Sequence, residues 1–208
     1  IILLLFISFS YGQKRELRNA NKFYDSGEFS SALDLLKSSK VLFDSSDDKV
    51  KSQQMLLYGK IHTSMQDFSL AMEAFNTSKD LGISSDQLGP ELMRLENSII
   101  TNAIADQESG DSLDAAIKLK MAYDLNPEVN QDYLYFAAGN AVNSINYSLA
   151  LEYYLLLRDI NYDGVTTKFY ITEVESGNEI EISSEDEFNL LQKSKDYDNP
   201  REELTESR

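Results

Sequence analysis

The chain has 208 residues, a net charge of −16 and neither cysteine nor tryptophan. Zero cysteines exclude disulfides, thiolate nucleophiles and Cys-based metal sites. The acidic balance excludes DNA or RNA as partner, because polyphosphate binding needs a basic stripe that releases counterions, and none is visible.

Residues Ile1 to Phe9 form an uncharged apolar run followed by Ser10-Tyr11-Gly12, a small-x-small site. The run has the length of a secretory h-region and falls short of a bilayer span, so residues 1–12 read as a partial signal peptide cleaved before Gln13. The chain opens on Ile1 rather than Met and closes in a polar stretch, Leu204 to Arg208, which suits a piece of a longer protein with a clipped export signal. No later stretch is long and apolar enough for a transmembrane span.

Four segments of the middle align on an alanine that opens an apolar helical run: Ala32, Ala71, Ala115 and Ala150, at intervals of 39, 44 and 35 residues. Phe29, Phe68, Ser112 or Tyr147 stands three residues before it, and Leu36, Phe75, Leu119 or Tyr154 four after, all on one helical face. A small residue, Ala20, Gly59, Ala103 or Ala138, stands twelve before it, where a preceding helix must come close. Gly27 and Gly110, each five before the alanine, suit a tight turn between two helices. Asn126-Pro127 stops the third copy. The pattern predicts helices over 14–26 and 28–43, 49–65 and 68–80, 91–108 and 112–124, and 130–144 and 147–159.

Beyond Gly164 the period changes. Thr167 to Val174 and Glu179 to Ile182 alternate around a Ser176-Gly177-Asn178 turn, which predicts a β-hairpin, and Ser184 with Glu187 forms a capping box for a short helix. Residues 198–208, charged and containing Pro200, read as a linker or truncated tail. From Glu173 to Arg208 twelve acidic residues face four basic ones, half of the chain's excess charge. The expected fold is therefore mainly all-α, an α-solenoid of about four antiparallel helix pairs over residues 13–164, with a β-hairpin and short helix over 165–197.

This spacing of small, aromatic and proline positions resembles the tetratricopeptide repeat family, over about Lys14 to Asp163. It departs from the family pattern where Ser112 replaces an aromatic and where the spacer before the third unit is long. The resemblance implies stacked helix pairs whose first helices line an inner groove for a protein or peptide segment. Carried over position by position, that groove would use Asn21, Tyr24 and Asp25, then Lys60, Thr63 and Ser64, then Ile104, Gln107 and Glu108, and finally Tyr135, Val142 and Asn143.

Catalytic signals are absent from the sequence: no Gly-rich phosphate loop, no Gly-x-Ser-x-Gly and no His-Glu-x-x-His occurs. His62 is the only histidine and reads as a packed repeat residue. Asp159, Asn161, Asp163 and Gly164 match the opening of a calcium loop, but the twelfth position is Tyr170 instead of a bidentate Glu, which favours a helix end closed by Gly164. The expectation is a scaffold that is not an enzyme and uses no cofactor or metal, exported to the periplasm or the outer-membrane side of a bacterial cell envelope, and a possible member of an envelope complex. Two alternatives stay open: the docking region of a larger enzyme continuing past residue 208, and a self-assembling structural envelope component.

Overall fold

A computed structural model describes the backbone of residues 2–207 and the side chains of residues 12–207. The expected signal peptide, 1–12, thus lies almost wholly outside the described side chains. The chain forms two compact units, Ile1–Leu155 and Leu156–Arg208, each taken by itself below.

The first unit is helical: α1 (Ile2–Asp25), α2 (Phe29–Ser38), α3 (Lys40–Asp44), α4 (Asp48–Met65), α5 (Phe68–Asp80), α6 (Ser85–Ser109), α7 (Ser112–Leu125), α8 (Gln131–Asn143) and α9 (Tyr147–Asp159), the last running across the boundary. Neighbouring helices pair in sequence order, α1 with α2, α4 with α5 and α6 with α7, and α7 also packs on α8. Every anchoring alanine is buried, and so is the small residue twelve before it. At Gly59 the close approach is extreme: a Cβ there would collide with the Phe75 ring.

The turn between paired helices is the same in all four copies. The residue five before each alanine, Gly27, Gln66, Gly110 or Ile145, has a left-handed backbone with φ of 77°, 63°, 90° or 61°. The next amide then bonds back across the turn: Glu28 to the Phe23 carbonyl, Asp67 to His62, Asp111 to Asp106 and Asn146 to Ala141, at 2.8–3.0 Å. Two of these positions are glycine, which takes positive φ without a Cβ penalty, and two are not.

Three helix boundaries differ from expectation, the first being the start of α1, which lies at Ile2 rather than at the expected residue 14. The helix expected over 28–43 breaks at Ser39 after a Ser-Ser pair, and the Ser38 hydroxyl bonds the Leu35 carbonyl, which competes with the helical ladder. The break brings Phe43 into a core with Ala20, Leu36, Val50 and Leu57. α6 begins six residues before the expected 91 and carries Pro90 inside it. Ser84 precedes it as N-cap, and Leu88 is buried in that extra turn, which offsets the one hydrogen bond proline forfeits. α9 stops at Asp159 as expected, but the left-handed residue that closes it is Asn161, φ 54°, with the Tyr162 amide bonded to the Leu157 carbonyl at 2.9 Å. Gly164 lies three residues beyond that closure.

In the second unit the hairpin is β1 (Thr167–Glu173) and β2 (Glu179–Ile182), joined through Gly177, whose amide donates to the Glu173 carbonyl. α10 (Glu185–Leu191) follows, capped by the Ser184 hydroxyl, which accepts from the Glu187 amide at 3.2 Å. The segment expected to be a linker is instead a third strand, β3 (Tyr197–Leu204), antiparallel to β1 in the order β2-β1-β3. Its alternation is hidden because it is an exposed edge, where Pro200 is tolerated. Between the pairs Tyr170–Arg201 and Thr172–Asp198 the strand carries one extra residue, a bulge that holds Asn199 at φ 46°. Phe169, Ile171 and Ile182 of the sheet pack on Phe188 of α10, with the Phe169 and Phe188 rings 4.9 Å apart. The other sheet face is charged: Arg201 lies 4.2 Å over the Tyr170 ring and donates to both Glu179 and Glu203.

Candidate functional site

The first helices of the first three pairs, α1, α4 and α6, bring four side chains together. Lys60 Nζ of α4 sits 4.7 Å from the centre of the Tyr24 ring of α1, a cation–π distance. The same ammonium is 3.8 Å from Oε1 of Glu91 on α6. Arg94, one turn further along α6, donates to the Tyr24 hydroxyl at 3.1 Å and stands 3.6 Å from Glu91 Oε2. Tyr24 is steadied from below by Phe29, with ring centres 5.6 Å apart. Both cations are attracted to the Glu91 carboxylate, yet neither comes within hydrogen-bonding reach, and Oε2 is buried with no hydrogen-bond donor. A buried carboxylate oxygen in that condition is a vacant acceptor, costly unless a donor reaches it.

Of the expected groove residues, Tyr24 and Lys60 thus meet. Asn21 is half-buried and returns its amide to the Leu17 carbonyl of its own helix. Thr63 is buried, its hydroxyl bonded to the Gly59 carbonyl at 2.8 Å, so it belongs to the packing. Asp25 is exposed, and Ser64 is half-buried at the end of α4. Ile104, Gln107 and Glu108 are exposed on the last turns of α6, beyond the half that carries Glu91 and Arg94. Val142 and Asn143 are exposed where α8 ends, and Tyr135 is half-buried with its ring edge-on to Phe136, 5.8 Å away. The contact line therefore runs obliquely, from the end of α1 through the second half of α4 to the first half of α6. Sequence reasoning missed Glu91 and Arg94 because counting back from Ala115 reaches only the far half of a helix that is 25 residues long.

A separate concavity of about 350 Å³ lies on the side of the second helices, between the start of α5 and α7, lined by Phe68, Leu70, Ile117 and Met121 among others. His62 is buried, stacked on Tyr58 at 6.2 Å, with Nδ1 3.3 Å from the Asp67 carboxylate. In the segment that opens like a calcium loop, Asp159 is paired with Arg158 at 2.7 Å and Asp163 accepts from the Val165 amide at 2.9 Å. Among the described residues no group of three or more His, Asp or Glu side chains is placed to hold a metal. No helix there is long and apolar enough to cross a membrane.

Scanned against models of known protein families the chain matches none, and no curated protein matches it significantly.

Proposed function

We propose that the helical unit is a non-catalytic scaffold of tetratricopeptide type that holds a segment of another protein against the face formed by α1, α4 and α6. One observation carries this reading: three successive first helices converge on a Tyr24–Lys60–Glu91–Arg94 cluster whose carboxylate keeps a buried acceptor without a donor. Tyr24 supplies flat contact area at low entropic cost, and Glu91 supplies an acceptor for a backbone N–H or a basic side chain. His62, the one imidazole, is committed to Tyr58 and Asp67, which speaks for a packing role. The apolar Ile1 to Phe9 run supports placing the scaffold in an exported, cell-envelope setting.

The test is to pan a random-peptide library on the full chain and counter-screen the enriched peptides. Lys60→Ala and Arg94→Ala should weaken them about tenfold or more, the scale of a lost charge-assisted contact. Lys51→Ala, on α4 away from the cluster, should not. Peptides indifferent to both cluster variants would refute the assignment.

A further inference from the structure

The two edges of the small sheet are built differently. Glu173 donates to the Asn178 carbonyl at 2.9 Å, on the β2 side, while Val174 donates to the Asp196 carbonyl and Thr166 accepts from the Thr205 amide, on the β3 side. Odd-numbered residues of β1 therefore bond to β2 and even-numbered ones to β3. With Ile171 opposite Ile180 and Phe169 opposite Ile182, the two isoleucines of β2 face β1. Glu179 and Glu181 then turn both N–H and C=O outward along an edge that no other strand joins.

On β3 the outward side is interrupted. Pro200 has no N–H to offer, and the bulge at Asn199 bends the strand. β2 carries neither device: its register on β1 runs without a shift, and Glu179, Ile180 and Glu181 are all exposed. Such an edge is a template for a further strand.

The side chains decide which strand fits. Glu179 and Glu181 lie on the charged face of the sheet, and although Arg201 and Lys168 reach them from the inner side, their side chains stay 46% and 53% exposed. Ile180, on the α10 face, is 37% exposed beside the Ile171, Ile182 and Phe188 core. A second copy is a poor occupant, because a two-fold pairing of β2 with itself centred on Ile180 sets Glu179 against the partner's Glu181, like charges directly opposite. From Glu173 to Arg208 twelve acidic residues against four basic ones steer a cationic segment instead.

We propose that β2 accepts an extended segment of another protein as a fourth strand, one in which lysine or arginine alternates with apolar residues. The basic side chains meet Glu179 and Glu181 on one face, and an apolar one covers Ile180 on the other. So short an edge holds a free peptide with a dissociation constant on the order of 100 μM, too weakly to survive selection from a library, so this edge and the face of α1, α4 and α6 are tested apart.

The test is an amide NMR titration of the full chain with a synthetic peptide alternating lysine and valine, and with its counterpart carrying glutamate for lysine. The lysine peptide should shift the Glu179 and Glu181 amides and slow their hydrogen exchange, leaving Glu202 and Leu204 of β3 unmoved, and the glutamate peptide should bind at least about tenfold more weakly. Glu181→Gln, which keeps the backbone donor, should weaken the lysine peptide roughly two- to fivefold. Glu181→Pro removes an outward N–H and no bond to β1, so it should abolish binding while the Ile171 and Ile180 resonances keep their folded positions. A lysine peptide that leaves the β2 amides in place, or a glutamate peptide that binds as well, overturns the proposal. Shifts of Glu179 and Glu181 on raising the concentration of the chain alone would assign the edge to a second copy and overturn it too.

Discussion

The meeting of Gly59 with Phe75 gives the repeat packing a quantitative test. In the first and third copies the corresponding pairs are Ala20 with Leu36 and Ala103 with Leu119, all buried. In the second copy the ring is larger and the small residue has lost its methyl group, so the two positions exchange volume. Gly59→Ala adds helix propensity of about 1 kcal/mol but drives a Cβ into Phe75, itself fixed among Leu56, Ala71, Leu95 and Ile99. Overpacking at so confined a site costs roughly 2–3 kcal/mol, leaving a net loss of about 1–2 kcal/mol and a melting point lower by ~2–8 °C. Phe75→Leu alone leaves a cavity beside Gly59 and should cost roughly 1–3 kcal/mol, below the range for truncating a buried Phe to Ala. The double variant recreates the pair found in the neighbouring copies, so it should return to within about 1 kcal/mol of the wild type, a coupling of at least ~1 kcal/mol. Thermal and urea unfolding of the four proteins completes the cycle. Strictly additive losses would show that these positions do not face each other, and the equivalence of the copies would fail with them.

The turn position gives a second test: Gln66→Gly relieves a left-handed non-glycine and should stabilise by roughly 0.5–1.5 kcal/mol, whereas Gly110→Ala should destabilise by about 1 kcal/mol, both read from urea midpoints. In the sheet unit, Phe188→Ala removes the ring that fills a core of three buried residues and should cost roughly 3–5 kcal/mol, seen as loss of amide protection in β1 while α4 to α7 stay protected. The hydrogen bond from Arg201 holds the Glu179 carboxyl below its ordinary value of 4.5, so the folded sheet favours the ionised form. That contribution is present above pH 4.5 and is lost as pH falls through the lowered folded value. Glu179→Gln should therefore flatten the fall in sheet stability below about pH 4.5, measured by hydrogen exchange across a pH series.

What the sequence disclosed follows from which signals are local. The anchoring alanines, the small residues twelve before them and the glycines at two turns each state a steric need at one position, and the helices follow. Gln66 and Ile145 hide the same turn, because their conformation is imposed by the Schellman hydrogen bonds and runs against residue preference. Pro90 disguises the start of α6, whose extra turn depends on burying Leu88, a tertiary effect. β3 is concealed because an exposed edge strand needs no apolar alternation, only a free ladder on β1, and Pro200 with its bulge marks it as irregular. Within the candidate site, Tyr24 and Lys60 could be named from their register. Glu91 and Arg94 could not, since their place depends on the oblique crossing of three helices. The one signal pointing to them is a carboxylate and a guanidinium three residues apart on the opening half of a long helix.

The proposed binding face can be mapped most directly by photo-crosslinking. A benzophenone side chain placed at Ser64 or at Asn97, beside the Tyr24–Lys60–Glu91–Arg94 cluster, or at Asn76 on the exposed side of α5, would be irradiated with a peptide enriched on the full chain. Crosslinks from Ser64 and Asn97, lost when Arg94→Ala is added and absent from Asn76, are the expected result. Crosslinks from Asn76 with none from Ser64 or Asn97 would place the partner on the second-helix side and contradict the account.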